Sequence, residues 1–470
     1  MPDHAQDEST ATHYALFDDT VDIVVNGVPK PHAVFDCITC SSLEKLSGKT
    51  WRHPEKLREG FSGTMVLYVP LDELRSVKPS FAKKGRWLSF HLQRLENADA
   101  VGQANAVTGS YISLSGSNEP APPLSFMLTG ITLQACPIPE LAQLIGLQAL
   151  KRQILDVLWA ASPPPTVTSH NVVVYDIGQG SATALVDDIG RPVIFFDLGW
   201  PTSANAGTRP TDPPALFSPE QCLACNRSAY RAPIILSHWD FDHWAYAIEN
   251  ETYDYQCDAA RITFKPEAIN RPWILPRPPR IGNTTGLGPT HMRLLTELPF
   301  RLLWPTRLRS VSFWGGTLTR TDPRVKPHDR NEQGLAWFVG DPGSTAAVLL
   351  PGDASYSRIR FPQGGADITN LLASHHGGRV TGIKTHLPSL QSRQKLVISV
   401  GSGNAHRHPS CTILRRYSRA GWRACLLTQT RLAAPGSTAH SGSALLQLDP
   451  LQKPTFNCAC LRSGNLVPTQ

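Results

Sequence analysis

Residues 235–243 read Ile-Leu-Ser-His238-Trp-Asp240-Phe-Asp242-His243. Ile234, Ile235 and Leu236 make a short apolar strand, and four side chains able to ligate a metal follow within six residues. Two imidazoles and two carboxylates on one tight turn can converge on a point. That donor set suits Zn²⁺, Mn²⁺ or a related divalent ion. The simpler use of the same residues is to cap a helix that starts here, with Asp242 near its N-terminus.

What the rest of the chain repeats weighs against simple capping. Tyr175-Asp176-Ile-Gly-Gln-Gly-Ser181 follows the β-branched run Asn171–Tyr175, and its glycines permit a tight turn and close backbone approach. Asp197-Leu-Gly199 follows Val193–Phe196, and Pro351-Gly-Asp353 follows Ala346–Leu350. Ser374-His375-His376-Gly-Gly follows Ile368–Ala373, and Gly401-Ser-Gly-Asn404-Ala-His406-Arg-His408-Pro409 follows Leu396–Val400. A lone His or Asp at a strand end is more often structural than catalytic. A series of them, all of metal-ligating or site-forming type, is hard to explain that way, because strand C-termini are where layered α/β folds place their sites.

Working outward, the chain divides. Residues 139–161 carry apolar residues at helical spacing, and Ser-Pro-Pro-Pro at 162–165 ends that helix. We expect a small β-rich domain over 1–162, with strands at Val21–Val28, Gly63–Val69, Arg86–Leu92, Gly109–Leu114 and Pro123–Gln134 and a loosely ordered start over 1–15. A second domain, 166–470, adds strands at Thr183–Val186 and Leu335–Val339 to those named above, and 201–232 and 265–290 read as long loops over its site face.

The 470 residues hold 35 Gly and 40 Pro, above average usage, so turns and loops are expected. No run of eighteen apolar residues exists to form a membrane-spanning helix, and the acidic, polar N-terminus does not read as a secretion signal. Ten Cys at this length are not a disulfide scaffold, and they read as thiols in a reducing, cytoplasmic setting. Cys37-x2-Cys40 and Cys222-x2-Cys225 have the spacing of two halves of a zinc site, but nothing in the sequence brings them together.

The net charge of +7 is uneven. Through residue 165 there are 14 Lys and Arg against 17 Asp and Glu, a balance of −3; beyond it 31 against 21 give +10, and 26 of those 31 are Arg. The guanidinium fork fits phosphate, so a phosphate-bearing substrate, nucleic acid or nucleotide, is one reading of the second part. An ordinary solvated surface is the other.

Taken in order, DIGQG, FDLG, SHWDFDH, LLPGD, SHHGG and SVGSGNAHRHP resemble the metallo-β-lactamase fold, and more narrowly the soluble domain of competence-type DNA-uptake channel proteins. The resemblance spans roughly 168–445. It implies an α+β fold, an αββα sandwich, here preceded by the β-rich domain. Asp240 stands where the wider superfamily has a second His, which tilts the metal towards Mn²⁺ or Mg²⁺ and away from firmly held Zn²⁺. Ser181 replaces that branch's Asp, Gly334 replaces a Ser three residues after the retained Asn331, and Trp244-Ala-Tyr replaces Gly-Gly and is expected to narrow the site mouth.

The resemblance implies two divalent ions, Zn, Mn or Mg. His238 and Asp240 lean to one, Asp242 and His243 to the other, and Asp353 bridges them. His375 and His408 complete the shells, with either able to be the last ligand. His376, and whichever of those two is not a ligand, protonate the leaving group or hold a phosphate oxygen. Asp176 and Asn404 orient the ligands, and Arg379 and Arg407 are candidate phosphate contacts. His291 and His328 follow no convincing strand and are expected on the surface or in loops.

Three functions compete. The first is a metal-dependent phosphodiesterase or nuclease using metal-activated water, with Asp242 and His376 in its chemistry. The second is a metallohydrolase of a small lactam, lactone or thioester. The third is a non-enzymatic binding protein on this scaffold, with residues 1–160 meeting a protein partner.

Overall fold

The computed structural model describes residues 11–25, 27–46, 53–95, 106–115, 124–138, 148–162, 171–187, 190–217, 231–278, 280–281, 284–322, 329–340, 346–362, 367–387, 395–422, 424–429, 432–433, 440–448 and 467–468. The pairs Cys222/Cys225 and Cys458/Cys460, His328 and the start of the expected helix over 139–147 lie outside them.

The N-terminal part is a closed barrel of six antiparallel strands: Ala11–Val25, Val28–Thr39, Thr64–Pro70, Trp87–Leu95, Val107–Ile112 and Ser125–Gln134. Pairing of Val66 with Ile112 closes it, and closure leaves no unpaired edge between these strands. Two expectations change. Residues from 11 onward are strand, not a loose start, and Val28–Thr39 was not anticipated at all. The first strand hides its period because Asp18 and Asp19 interrupt it and its register shifts between Phe17 and Asp19. The second shows no alternation, since its last eight residues, the polar His32 and Asp36 among them, are all buried.

Two further sheets pack face to face. One runs Arg301–Leu303, Trp273–Leu275, Ile234–Ile235, Pro192–Leu198, Ala182–Val186, Asn171–Val174, Ala444–Gln447 and Val467–Pro468. The other runs Ser310–Phe313, Gly316–Arg320, Leu335–Val339, Ala346–Leu350, Asp367–Leu372, Lys395–Ile398 and Ala424–Leu427. Strand alternation sorts their side chains. Val172, Val174, Phe196 and Ile235 meet Trp337, Val339, Val348 and Leu350 between the sheets. Phe338, Leu349, Leu371 and Ile398 point the other way, onto Ile413 and Tyr417 of the helix Cys411–Arg419. These two helix residues lie one turn apart, on the single stripe the helix buries. Burying each contributes about 2 kcal/mol. On the far side of the first sheet, Val173, Phe195 and Ile234 pack with Leu294 and Leu295 of the helix Pro289–Glu297 and with the barrel core.

The barrel is therefore not a detached module. The hairpin Ile248–Asp254/Ala259–Phe264 extends its sheet by pairing Ala260 with Thr64. The helix Lys151–Ala161, expected to close the first domain, buries Ile154, Leu158 and Ala161 in the core between the two later sheets. Residues 265–290 are not a long loop: Trp273–Leu275 is an interior strand of the first sheet. Within 201–232, Ser203–Thr208 is a 3-10 helix. No described helix is long and apolar enough to cross a membrane.

Candidate metal centre

Strands Pro192–Leu198 and Ile234–Ile235 run parallel in the first sheet, and Ala346–Leu350, Asp367–Leu372 and Lys395–Ile398 run parallel in the second. Their C-terminal ends therefore share one rim of the sandwich. Asp197, the 237–243 turn, Asp353, His375 and His376, and Ser399 all sit there.

The turn carrying Asp242 is held from below by glycine-bearing loops. Ser181 donates its N–H to the Asp242 carbonyl at 3.0 Å, and Gly199 donates to the Ser181 carbonyl at 2.7 Å. A Cβ on Gly199 would lie 1.9 Å from the Asp242 oxygen, so only glycine fits. The left-handed φ values of Asp197 (64°), His375 (53°) and His376 (51°) put three non-glycine residues in a strained conformation at this one site. Each costs on the order of 1–3 kcal/mol, a strain typical of functional positions.

Each of three histidines is anchored through Nδ1. His243 donates to Asp197 Oδ2 at 2.8 Å, and His376 donates to the Ser399 carbonyl at 2.8 Å. His238 meets Ser237 Oγ at 3.0 Å; that hydroxyl and the Ser237 N–H donate to Asp197 at 2.8 and 2.6 Å. Carboxylates and carbonyls only accept, so Nδ1 of His243 and of His376 carries the proton and Nε2 is left with its lone pair. All three Nε2 atoms are buried and make no hydrogen bond.

Carboxylates converge on the same point. Asp353 sets Oδ1 3.3 Å from His243 Nε2 and Oδ2 3.8 Å from His238 Nε2, one oxygen towards each ring. Asp242 Oδ2 lies 3.3 Å from His376 Nε2, and Asp240 Oδ2 lies 3.3 Å from His238 Nε2. Two groups, His238 with His243 and Asp353, and Asp242 with His243 and His376, each offer ligand atoms within 4.8 Å of one another. Buried imidazole nitrogens without partners, facing carboxylates, fit divalent cations of the Zn²⁺ or Mn²⁺ kind better than Mg²⁺.

Burial opposes ionisation of Asp240, Asp242 and Asp353, but neighbouring charge wins. Asp353 is held well below the usual carboxylate range by His243, His375 and His376. Asp242 is lowered by His243 and His376, and Asp240 chiefly by Arg330. Conversely His243 and His376 are raised against the pull of burial, mainly by Asp353. The shifts are mutual: acids are lowered and imidazoles raised because they face one another in a buried cluster.

Among the residues the sequence singles out, His238, Asp240, Asp242, His243, Asp353 and His376 come together. His375 is at the edge: its Nε2 is 3.8 Å from Asp353 Oδ2 and accepts from Asn331 Nδ2 at 3.4 Å. His408 belongs to neither group. Its ring centre is 5.3 Å from that of His375, and burial with the nearby histidines pushes its pKa down to about 3. Asn404 grips the loop that carries His408, accepting from its N–H at 2.9 Å and donating to its carbonyl at 2.7 Å. Asp176 braces its own turn, accepting from the Gly178 N–H at 3.4 Å, and its N–H donates to Ser443 Oγ at 3.0 Å.

Arg379 and Arg407 are exposed, and neither lines the cavity over the centre. Two expectations are corrected. Trp244 does not narrow the mouth; it is fully buried and donates Nε1 to His291 Nδ1 at 3.2 Å. His291 is not a surface residue. It lies buried in the helix Pro289–Glu297, stacked on Phe241, because Trp244, Asp18 and Arg330 surround it.

Three contributors escaped the sequence reading. Asp197, seen only as part of a strand-end cluster, orients His243. Arg330 places Nε 2.9 Å from Asp240 Oδ1 and pairs at its other end with Asp18 of the barrel. Arg330 adjoins the Asn331 that was noticed, whereas no local pattern marks Asp18.

Above the centre lies a cavity of about 700 Å³. Asp240, Asp242, Asp353, His375, His376, His406 and His408 line one side, and barrel residues including Asp22, Val34, Val66, Tyr68 and Lys84 line the other. No protein-family profile matches the chain, and no curated protein matches it.

Proposed function

We propose that the chain is a metal-dependent hydrolase of the metallo-β-lactamase, αββα kind, acting on phosphodiesters. The observation that carries this reading is the trio of buried, unpaired Nε2 atoms facing Asp242 and Asp353. His238, His243, His376, Asp242 and Asp353 would hold divalent cations, which supply a water of lowered pKa and polarise the scissile group. Asp197, Ser237 and the Ser399 carbonyl keep the imidazoles in the tautomer that offers Nε2. His375, half exposed at the edge and next to Asn331, is placed to pass a proton to a leaving group.

A second reading, hydrolysis of a small lactam, lactone or thioester, draws support from the cavity's wall of carboxylates and from Arg379 and Arg407 lying outside it. Purified protein loaded with Mn²⁺ or Zn²⁺ is assayed on bis(4-nitrophenyl) phosphate, DNA, RNA and a panel of lactones and thioesters. The first reading expects metal-dependent cleavage of a phosphodiester, lost in Asp242→Ala and Asp353→Ala with circular dichroism unchanged. Turnover of carbonyl substrates alone refutes it in favour of the second. Near-normal turnover in either variant refutes both.

A further inference from the structure

The barrel belongs to the cavity as much as the sandwich does. Val34, Val66, Tyr68, Ile112 and Leu114 give the cavity an apolar, aromatic flank opposite the histidines. Ligand pockets of roughly 300–1,000 Å³ take small molecules, and a cavity of about 700 Å³ falls within that range.

Its charge is the opposite of what the +10 balance suggests. The described lining holds seven aspartates against two cations, Lys84 and Arg330. With the histidines neutral that is a formal −5, and two divalent ions bring it only to −1. Both cations are already engaged, Lys84 with Asp19 and Arg330 with Asp18 and Asp240. Asp22 of the first barrel strand and Asp329, next to Arg330 in sequence, are two of those seven. A strand with a phosphate on every nucleotide would set its flanking phosphates against these carboxylates, and like charges brought close in a cleft repel strongly.

We propose that the barrel restricts this site to compact phosphodiesters that carry one negative charge and an apolar or aromatic body, and excludes the interior of a polynucleotide. This rests on the hydrolase reading above. The scissile group meets the metal-ligating residues, the organic body packs on Val66 and Tyr68, and among the described lining residues no cation is left to neutralise neighbouring phosphates.

The test compares Mn²⁺-loaded protein on bis(4-nitrophenyl) phosphate, a short single-stranded oligonucleotide and covalently closed circular DNA. It also measures oligonucleotide affinity by fluorescence anisotropy, without added metal. Cleavage of the small diester, with closed circles intact and no measurable oligonucleotide affinity, is expected. Asp22→Lys should raise oligonucleotide affinity and the oligonucleotide-to-diester rate ratio roughly tenfold at low salt, the gain fading as salt rises. Closed circles cut as fast as the small diester, or an Asp22→Lys variant with an unchanged ratio and affinity, overturn the inference while leaving the hydrolase reading intact. No cleavage of any phosphodiester by fully loaded protein overturns both.

Discussion

Arg330 and Asp240 form a buried ion pair, Nε to Oδ1 at 2.9 Å, and the other end of the same guanidinium reaches Asp18 in the first barrel strand. A candidate metal ligand and a barrel residue 222 positions earlier thus share one cation. Burial opposes the charge on Arg330, but Asp18 and Asp240 outweigh it. His291 completes the cluster, 3.1 Å from Arg330. Docking of the barrel and the shape of the candidate metal centre are therefore one electrostatic problem.

Asp18→Ala is the direct test of that link. It leaves Arg330 buried beside Asp240 with half its compensation gone. Removing one partner of a buried pair costs about 3–5 kcal/mol, and the lower end is expected here because Asp240 remains. Urea denaturation should show the loss, and limited proteolysis should show the barrel cut first. A double variant with Arg330→Met should lose less than the two single losses combined. A loss under about 0.5 kcal/mol, the level of an ordinary surface change, would show that the triad does not join the two parts.

Asp197→Asn probes the tautomer argument. The amide oxygen can still accept from the Ser237 N–H, but an NH₂ cannot accept from His243 Nδ1. His243 then gains by moving its proton to Nε2, and the lone pair facing Asp353 is lost. Metal affinity should fall about 10- to 100-fold, as such supporting carboxylates typically contribute, with the fold retained. Titration calorimetry with Zn²⁺ or Mn²⁺ reads this directly. Wild-type affinity in the variant would mean that Asp197 only anchors Ser237.

The contrast between these two residues shows what a sequence can carry. Asp197 ends an apolar strand and precedes Gly199, so its neighbourhood was legible even though its role was not. The strands Asn171–Val174, Pro192–Leu198, Leu335–Val339 and Ala346–Leu350 were legible for the same reason: buried runs bounded by turns. Asp18 was not legible, because its partner lies 312 residues away and nothing local marks a charge destined for burial. Trp273–Leu275 hid among prolines, and Arg301–Leu303 was too short to show a period. The sequence leaves His375 and His408 as alternatives for the last ligand and gives His376 to the leaving group or a phosphate oxygen. The left-handed turn at 375–376 decides which ring faces inward, and spacing alone does not report it.

Metal binding should strengthen as pH rises. Burial favours neutral rings, but Asp353 and its neighbours raise His243 and His376 above the ordinary imidazole value. Without an ion these rings take up a second proton at higher pH than an ordinary imidazole, and there an incoming cation must displace it. Below the raised pKa values, each displaced proton weakens apparent affinity about tenfold per pH unit. Calorimetry in two buffers of different ionisation enthalpy should register proton release at about pH 6, below the ordinary imidazole value. No release, with affinity flat in pH, would place the ion elsewhere.

Stability itself should carry an inverse pH signature from Asp36. This residue is fully buried in the barrel strand Val28–Thr39 and accepts from the Thr290 N–H at 2.9 and 3.1 Å, at the start of the helix Pro289–Glu297. Burial first, and the charge of Asp18 second, push its carboxyl up to about 8. An unfolded aspartate titrates at about 3.9, so between roughly pH 4 and 8 the folded chain holds a proton that the unfolded chain has lost. The folded state binds more protons, so this group's contribution to stability falls as pH rises across that window and is level above it. Asp36→Asn removes the titration and keeps an amide oxygen for Thr290. The variant should gain on wild type from pH 5 to pH 8.5, by an amount on the order of several kcal/mol. Chemical denaturation at the two pH values measures the difference. Because Asp18 is the second cause, Asp18→Asn should also shrink the wild-type slope, and an unchanged slope in both variants would put the proton on another group.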